Sequence, residues 1–159
     1  MTFYAGQSIL GALLDKLENP PVAILQQTVV QSVPNGTWGV LTFDSEIKDT
    51  YSGHSTTSNT SRYTCQLAGT YRVTVRAAFA TNATGSRGAR IHLNGSFIQG
   101  AANLAGAGTL AGISEASHML DLGVGDYVEG AGGQNSGGSL STAFVGESAS
   151  MMYVEWIHA

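Results

Sequence analysis

The chain has 159 residues, a length that suits one domain, and only 11% of them are charged, against a usual fraction of about 25%. Seven lysines and arginines and a formal net charge of −4 argue against a nucleic-acid or anionic-membrane surface, because both need clustered cations. The single cysteine, Cys65, excludes a disulfide framework or a cysteine zinc cluster, and we expect it to be a small buried residue.

The first 21 residues differ from the rest of the chain and predict a short helical arm. Pro20 and Pro21 end this segment, and its apolar residues follow helical spacing: Ile9, Leu10, Leu13, Leu14 and Leu17. A helix of two or three turns is marginal alone in water, so the apolar stripe is expected to dock on its own domain or on a partner. The segment lacks the features of a secretory signal, and we expect synthesis in a cytoplasm.

From Val22 onward the apolar residues alternate with polar ones, which predicts strands. Residues 22–33 read as one strand, whereas the polar residues 45–61 and the glycine-rich residues 102–115 read as loops. Further strands are predicted at 36–43, 62–67, 69–80, 88–94, 96–101, 116–122, 125–133, 139–146 and 150–158. No helical crossover separates them, so the sequence predicts an all-β sandwich or barrel of about eight to ten antiparallel strands.

The clearest strand lies in residues 69–80. Its odd-numbered positions are apolar and the positions between them are mostly polar or charged, the apolar ones being Tyr71, Val73, Val75, Ala77 and Phe79. Successive side chains of a strand point to opposite faces of a sheet. This strand is therefore expected to form one wall of a sandwich, with one face buried and the other outside.

Three segments, taken in chain order, resemble parts of the complement C1q-like and tumour-necrosis-factor-like jelly rolls. "YTCQLAGTYRVTVRAAF" at 63–79 resembles their Gly-x-Tyr strand, "LDLGVGDYVEG" at 120–130 their Leu-x-x-Gly-Asp-x-Val turn, and "STAFVGESASMMYVEWIH" at 141–158 their closing strand pair. The resemblance covers residues 22–159 and implies a ten-stranded jelly roll that assembles as a homotrimer. It also implies a binding or structural role and no enzymatic activity.

The same resemblance implies that one face of each protomer packs along the threefold axis. Candidates for the protein core or for this axis are Tyr71, Phe79, His118, Phe144, Tyr153 and Trp156. His118 shares its strand face with apolar residues, which is typical of a core or interface histidine. The implied division is an arm at 1–21 and a jelly-roll domain at 22–159.

A short helical segment ahead of a jelly roll resembles small virion proteins of tailed bacteriophages, such as head decoration, head fibre or minor tail proteins. This resemblance implies a structural protein on the virion surface, attached to a capsid or tail protein through its arm. The alternative is a module that binds a receptor or a host-surface glycan through its loops. Its candidate contacts are Tyr51, His54 and the asparagine-containing loops at 81–86 and 133–139.

The sequence predicts no catalytic, cofactor or metal site. It has no His-x-x-x-His, Cys-x-x-Cys, Gly-x-Ser-x-Gly or phosphate-loop motif. Acidic residues at 44–49 and 126–129 are of the type that binds calcium, but their spacing does not match an EF-hand, and we expect solvated loop acids. His92 is expected to be exposed beside Arg90.

Overall fold

The computed structural model describes residues 18–106, 108 and 110–159. In these residues the chain forms two five-stranded sheets and two short two-stranded ladders. The strands are β1 (Val22–Gln26), β2 (Ser32–Val33), β3 (Thr37–Val40), β4 (Ser45–Asp49), β5 (Arg62–Thr64), β6 (Gly69–Phe79), β7 (Ser86–Leu93), β8 (Ser96–Gly106), β9 (Gly112–Leu122), β10 (Tyr127–Gln134), β11 (Leu140–Ser141), β12 (Phe144–Val145), β13 (Ser148–Ala149) and β14 (Met151–His158).

The first sheet has the strand order β4-β1-β14-β6-β9, and the second has the order β3-β10-β7-β8, with β5 also paired to β10. Every pairing within the two sheets is antiparallel. Strand β14 lies between β1 and β6, so the two ends of the domain meet at the centre of the first sheet. The predicted all-β antiparallel sandwich is confirmed.

The core lies between the two sheets, and β6 supplies much of it. The side chains of its five apolar positions are completely buried: Tyr71, Val73, Val75, Ala77 and Phe79. Opposite them, β10 carries glycines, and a Cβ atom at Gly130 would lie only 2.8 Å from Cγ1 of Val75. The absence of a side chain at Gly130 therefore allows the sheets to approach closely. Cys65 is also buried, as expected.

The prediction that residues 22–33 form one strand is wrong. Strand β1 ends at Gln26, and the chain then turns around the carboxylate of Asp44, which accepts hydrogen bonds from the backbone nitrogens of Thr28 at 2.7 Å and Val29 at 3.2 Å. Burial acts to raise the pKa of Asp44, but the hydrogen bonds from Thr28 and Val29 outweigh it and the pKa is lowered. This side-chain anchor replaces the strand pairing that the alternation alone predicted.

Two segments predicted as loops contain strands. Residues 45–61 begin with β4, and residues 102–115 include the end of β8 and the start of β9. These three strands are the outermost strands of their sheets. An edge strand pairs on one side only and exposes much of its surface, so its composition resembles that of a loop.

The predicted arm falls largely outside the described residues. Its five apolar positions, Ile9, Leu10, Leu13, Leu14 and Leu17, all lie there. Pro20 and Pro21 are described, and both contact the domain: the Pro20 oxygen accepts a hydrogen bond from Thr50 Oγ1 at 3.0 Å, and the Pro21 oxygen accepts one from the Trp156 nitrogen at 2.9 Å. Within the described ranges, no helix has the length and apolarity to cross a membrane.

Candidate functional site

The outer surface of the first sheet is the first candidate site, and we call it the paired-charge face. Its side chains alternate with the buried ones of β1, β14, β6 and β9, and they include Ile24, Thr70, Arg72, Thr74, Arg76, Glu115, Ser117, Met119, Asp121, Met151, Tyr153 and Glu155. The strand register places Ile24, Tyr153, Thr74 and Ser117 in one row across the sheet. Tyr153 is thus at the centre of the face.

Four charged groups of this face form two ion pairs within the protomer. Arg72 Nη1 lies 3.7 Å from Glu155 Oε2, and Arg76 Nη2 lies 3.2 Å from Glu115 Oε2. Exposed ion pairs of this kind contribute little to stability, roughly 0–1 kcal/mol. Their consequence is electrostatic, because each of these two cations has a carboxylate beside it in the same protomer.

The uncharged part of the face is largely apolar. Ile24 and Met151 are half-buried and flank Tyr153, whose hydroxyl donates a hydrogen bond to the Met151 sulfur at 3.0 Å. Met119 is 49% exposed at the far side of the sheet. The face therefore combines exposed apolar groups with charges that already have partners.

The outer surface of the second sheet is the second candidate site, and we call it the aromatic–arginine face. Its Trp38 lies against the backbone of two neighbouring strands. A Cβ atom at Gly133 would be 2.7 Å from Cδ2 of the indole, and one at Gly88 would be 2.6 Å from its Cη2. Only glycine at both positions lets the indole lie this close to the sheet.

Arg90 is held beside this indole. Its guanidinium carbon lies 4.5 Å from the centroid of the Trp38 ring and 5.5 Å from that of Phe97. Its Nε donates a hydrogen bond to His92 Nε2 at 2.9 Å. Because arginine nitrogens only donate, the proton of a neutral His92 must be on Nδ1, which is buried and has no hydrogen-bond partner.

A buried carboxylate lies beside His92 on the neighbouring strand. Glu129 pairs with His92 in the strand register and accepts hydrogen bonds from Ser61 Oγ at 2.8 Å and from Arg62 Nε at 3.1 Å. The Arg62 guanidinium in turn stacks on Tyr127 at 4.1 Å. Both contacts are made by Glu129 Oε1 to groups of the same protomer, so this oxygen has a structural role.

The expectation that His92 is exposed is wrong, because only 6% of its surface is exposed. Burial lowers the pKa of His92, the charge of Arg90 lowers it further, and Glu129 acts in the opposite direction. Burial also lowers the pKa of Arg90. Sequence alternation gave the correct face for both residues but could not show that aromatic side chains from neighbouring strands cover them.

A cleft of about 240 Å³ opens beside Trp38. It is lined by Gly36, Thr37, Trp38, Ser86, Leu104, Gly133, Gln134 and Asn135. The Gln134 side chain is engaged with Val33 and Gly138. Within the described part of the chain, Ser86 Oγ and Asn135 Nδ2 make no hydrogen bond, so both are free to contact a ligand.

The structure separates the residues predicted for the core or the threefold axis. Tyr71, Phe79 and Trp156 lie in the core of the protomer, and the first two are completely buried. His118 is half-buried on the core side of β9, opposite Val73. The two others reach the surface: Tyr153 lies on the paired-charge face, and Phe144 is 48% exposed in β12.

The predicted glycan contacts are less accessible than loop residues usually are. Tyr51 is half-buried. His54 is only 9% exposed, and its ring nitrogens lie 2.7 Å from the Arg62 oxygen and 3.0 Å from the Phe43 oxygen. These contacts connect the loop to the domain and leave neither ring nitrogen of His54 free for a sugar hydroxyl.

The loop acids also have structural partners. Asp126 accepts hydrogen bonds from Asn94 Nδ2 at 2.9 Å and from the Gly123 nitrogen at 2.8 Å, and the bonds from Asn94 and then Gly123 lower its pKa. Among the described residues, no three histidine, cysteine, aspartate or glutamate side chains are grouped as metal ligands would be.

Comparisons with known proteins identify the fold. No protein-family model matches the sequence, and no curated protein matches it. The globular domain of zebrafish complement 1qA protein is similar in structure over 87% of this chain and 98% of that chain, with a TM-score of 0.63 at 12% identity. Murine APRIL at pH 5.0 is similar over 85% and 98%, with a TM-score of 0.63 at 10% identity. The chain thus has the C1q/TNF-like jelly-roll fold.

Proposed function

We propose that this protein is a non-enzymatic structural protein of a bacteriophage virion, where it forms a homotrimer and attaches through its N-terminal arm. A head decoration, head fibre or minor tail protein would have these properties. The observation that carries the self-association is the paired-charge face. The virion role is supported by the jelly roll together with the leucine-rich segment that precedes it.

The paired-charge face is suited to burial against another copy of the chain. Burying an unpaired charge is strongly unfavourable, and here Arg72 and Arg76 already have carboxylate partners in the same protomer. Removing apolar surface from water contributes roughly 25 cal/mol per Å², and Ile24, Met119 and Tyr153 supply such surface. Obligate interfaces typically bury about 2,000 Å² or more, which requires most of a sheet face.

The sequence of the arm supports an attachment role. Pro20 and Pro21, which end the arm, are held to the domain by Thr50 and Trp156. The apolar stripe of the arm needs a partner surface to be stable as a helix. In a trimer, three such segments would bind a capsid or tail protein together, which raises the overall affinity through multivalency.

The non-enzymatic character is supported by the use of the buried polar groups. Both ring nitrogens of His54 and Oε1 of Glu129 contact groups within the protomer, and Asp44 anchors a turn. A catalytic acid or base must instead present its side chain to a substrate.

Substitution on the paired-charge face tests self-association. Tyr153→Arg places an unpaired charge at the centre of the face, and we expect this variant to be monomeric in analytical ultracentrifugation. Val124→Arg is the matched control, because Val124 is 71% exposed in the turn before β10, and this variant should keep the mass of the unmodified protein. An unchanged mass for Tyr153→Arg would show that another surface mediates association.

Particle binding tests the role of the arm. The full chain and a chain comprising residues 18–159 are added to particles that lack this protein, and each mixture is sedimented. We expect only the full chain to sediment with particles, and Leu13→Asp in the full chain to reduce its binding. Equal binding by residues 18–159 would refute the anchor. Absence of the protein from purified particles, as judged by mass spectrometry, would refute the virion role itself.

A further inference from the structure

Arg90 is a cation without an acidic partner. In the described ranges, the three ion pairs involve Arg62, Arg72 and Arg76, and Arg90 takes part in none of them. Its only side-chain hydrogen bond there uses Nε, which leaves both terminal nitrogens free. The chain as a whole carries a formal charge of −4, so a partly buried, unpaired arginine on its surface requires an explanation.

The Arg90 side chain is fixed before any ligand binds. The rings of Trp38 and Phe97 and the His92 nitrogen all lie against the guanidinium group. An arginine side chain loses rotamer entropy when it is immobilised. Because the protomer has already immobilised Arg90, a ligand that binds the terminal nitrogens is spared most of this loss.

We propose that Arg90 and the cleft beside Trp38 form a binding site for an acidic sugar, namely a single pyranose ring that carries a carboxylate. The carboxylate binds the two terminal nitrogens of Arg90. The ring occupies the adjacent cleft, with Trp38 as the wall that both parts of the site share.

The choice of a carboxylate follows from the geometry of the guanidinium. Its two terminal nitrogens match the two oxygens of a carboxylate in parallel hydrogen bonds. Among the described residues, Arg90 forms no ion pair that a carboxylate ligand would have to displace. Inorganic phosphate is also an anion that a guanidinium binds, and it is therefore one of the ligands tested below.

The choice of a sugar follows from the cleft. Its volume of about 240 Å³ is below the ~300 Å³ at which pockets for drug-sized ligands begin, and one ring suits it. Ser86 Oγ and Asn135 Nδ2 offer a hydroxyl and an amide to sugar hydroxyls, and Trp38 and Leu104 form the apolar part of the lining. An extended peptide usually binds by pairing with a sheet edge, whereas this cleft opens on a sheet face.

His92 acts as a positioning residue in this site. Its Nε2 accepts the Arg90 hydrogen bond only while that nitrogen carries no proton. The charged groups that face His92 are Arg90 on its own strand and Glu129 on β10, with Arg62 behind Glu129, and Phe97 on β8 is uncharged. Protonation of His92 would remove the bond and place two cations together, so binding is expected to weaken as the pH falls.

The proposed site is independent of self-association, because it lies on the second sheet and the paired-charge face lies on the first. Failure of either proposal leaves the other intact. Isothermal titration of the full-length protein with D-glucuronate, D-glucose, acetate and inorganic phosphate tests the site directly. We expect glucuronate to bind at least tenfold more tightly than each of the other three.

Three variants locate the binding. Arg90→Gln and Arg90→Lys should each weaken glucuronate binding at least tenfold, since lysine keeps the charge but lacks the planar fork. Asn135→Asp keeps the oxygen that accepts from the Ser86 nitrogen but adds a negative charge to the cleft, and it should also weaken binding. Lys48→Gln, which removes an exposed cation on β4, should leave it unchanged. Thermal unfolding verifies that each variant is folded. If Arg90→Gln does not fold, the measurement of glucuronate binding relies on Arg90→Lys.

Several results would overturn the proposal. Equal affinity for acetate or phosphate would show an anion site without sugar recognition, and equal affinity for glucose would remove the role of the carboxylate. Tighter binding of a short peptide through its C-terminal carboxylate would replace the sugar, and no binding of glucuronate would exclude the site. Between pH 7.5 and 5.5, the affinity of the unmodified protein should fall and that of His92→Gln should stay level; a rising affinity would contradict the positioning role.

Discussion

The contact between Trp38 and the backbone of β10 allows a sharp test of the packing on the aromatic–arginine face. The change is Gly133→Ala, which adds one methyl group under the indole. That methyl would lie 2.7 Å from Cδ2, 2.8 Å from Cε3 and 2.9 Å from Cε2, whereas carbon atoms in contact are normally about 3.5–4.0 Å apart. The indole therefore has to move away from the sheet by several tenths of an ångström or more.

The expected cost is the balance of two opposing effects. Overpacking of this kind typically destabilises by about 1–3 kcal/mol, and displacement of Trp38 also weakens its contact with Arg90, worth about 0.5–1 kcal/mol at exposed sites. Against this, replacing glycine by alanine reduces the entropy of the unfolded chain and stabilises by about 0.4–1 kcal/mol. We expect Gly133→Ala to lower the free energy of unfolding by about 1–2 kcal/mol.

The same substitution should change sign when the indole is absent. In a Trp38→Ala background the methyl group meets no ring, so Gly133→Ala should stabilise by about 0.4–1 kcal/mol. Urea unfolding followed by circular dichroism, at one fixed protein concentration, measures both differences. Gly138→Ala is the control, because a Cβ atom there has nothing within 4 Å. Equal effects of Gly133→Ala in the two backgrounds would refute the reasoning.

Two further predictions concern titratable groups in the interior. The pKa of His92 is lowered in the folded protein from 6.5, so the unfolded chain takes up this proton first; stability should fall as the pH drops below about 6.5 and level off below the folded-state pKa. The urea midpoint should consequently depend less on pH in His92→Gln than in the unmodified protein. His158→Gln, at an exposed position, is the control. Equal pH dependence of all three proteins would contradict this prediction. Burial raises the pKa of the Cys65 thiol and leaves it inaccessible, so its alkylation should occur only as fast as the protein opens; rapid alkylation without denaturant would contradict the buried position.

The parts of the fold that were predictable from sequence are those where the two faces of a strand differ. Strand β6 has an apolar face and a polar face, and the structure buries the apolar one completely. Strand β4 was missed because it lies at a sheet edge, where both faces of its five residues are half-buried or exposed. The alternation of apolar and polar residues reflects burial, so a strand with little buried surface shows little alternation.

The aromatic–arginine face depends on a contact between strands that are distant in sequence. Arg90 and Phe97 come from the consecutive strands β7 and β8, whereas Trp38 comes from β3, and no local spacing relates Trp38 to the other two. One signal was present: the run of small residues "GAGG" at 130–133 in a strand. Small residues on both faces of a strand indicate bulky neighbours on both sides, here Val75 in the core and Trp38 outside.

The native mass of the full-length protein tests the proposed assembly most directly. Each chain has a mass of 16.5 kDa, and native mass spectrometry with sedimentation equilibrium at micromolar concentration would measure the complex without any substitution. We predict a single closed species of about 50 kDa, which corresponds to three copies. A stable species of 16.5 kDa under the same conditions would contradict the assignment of the paired-charge face to self-association.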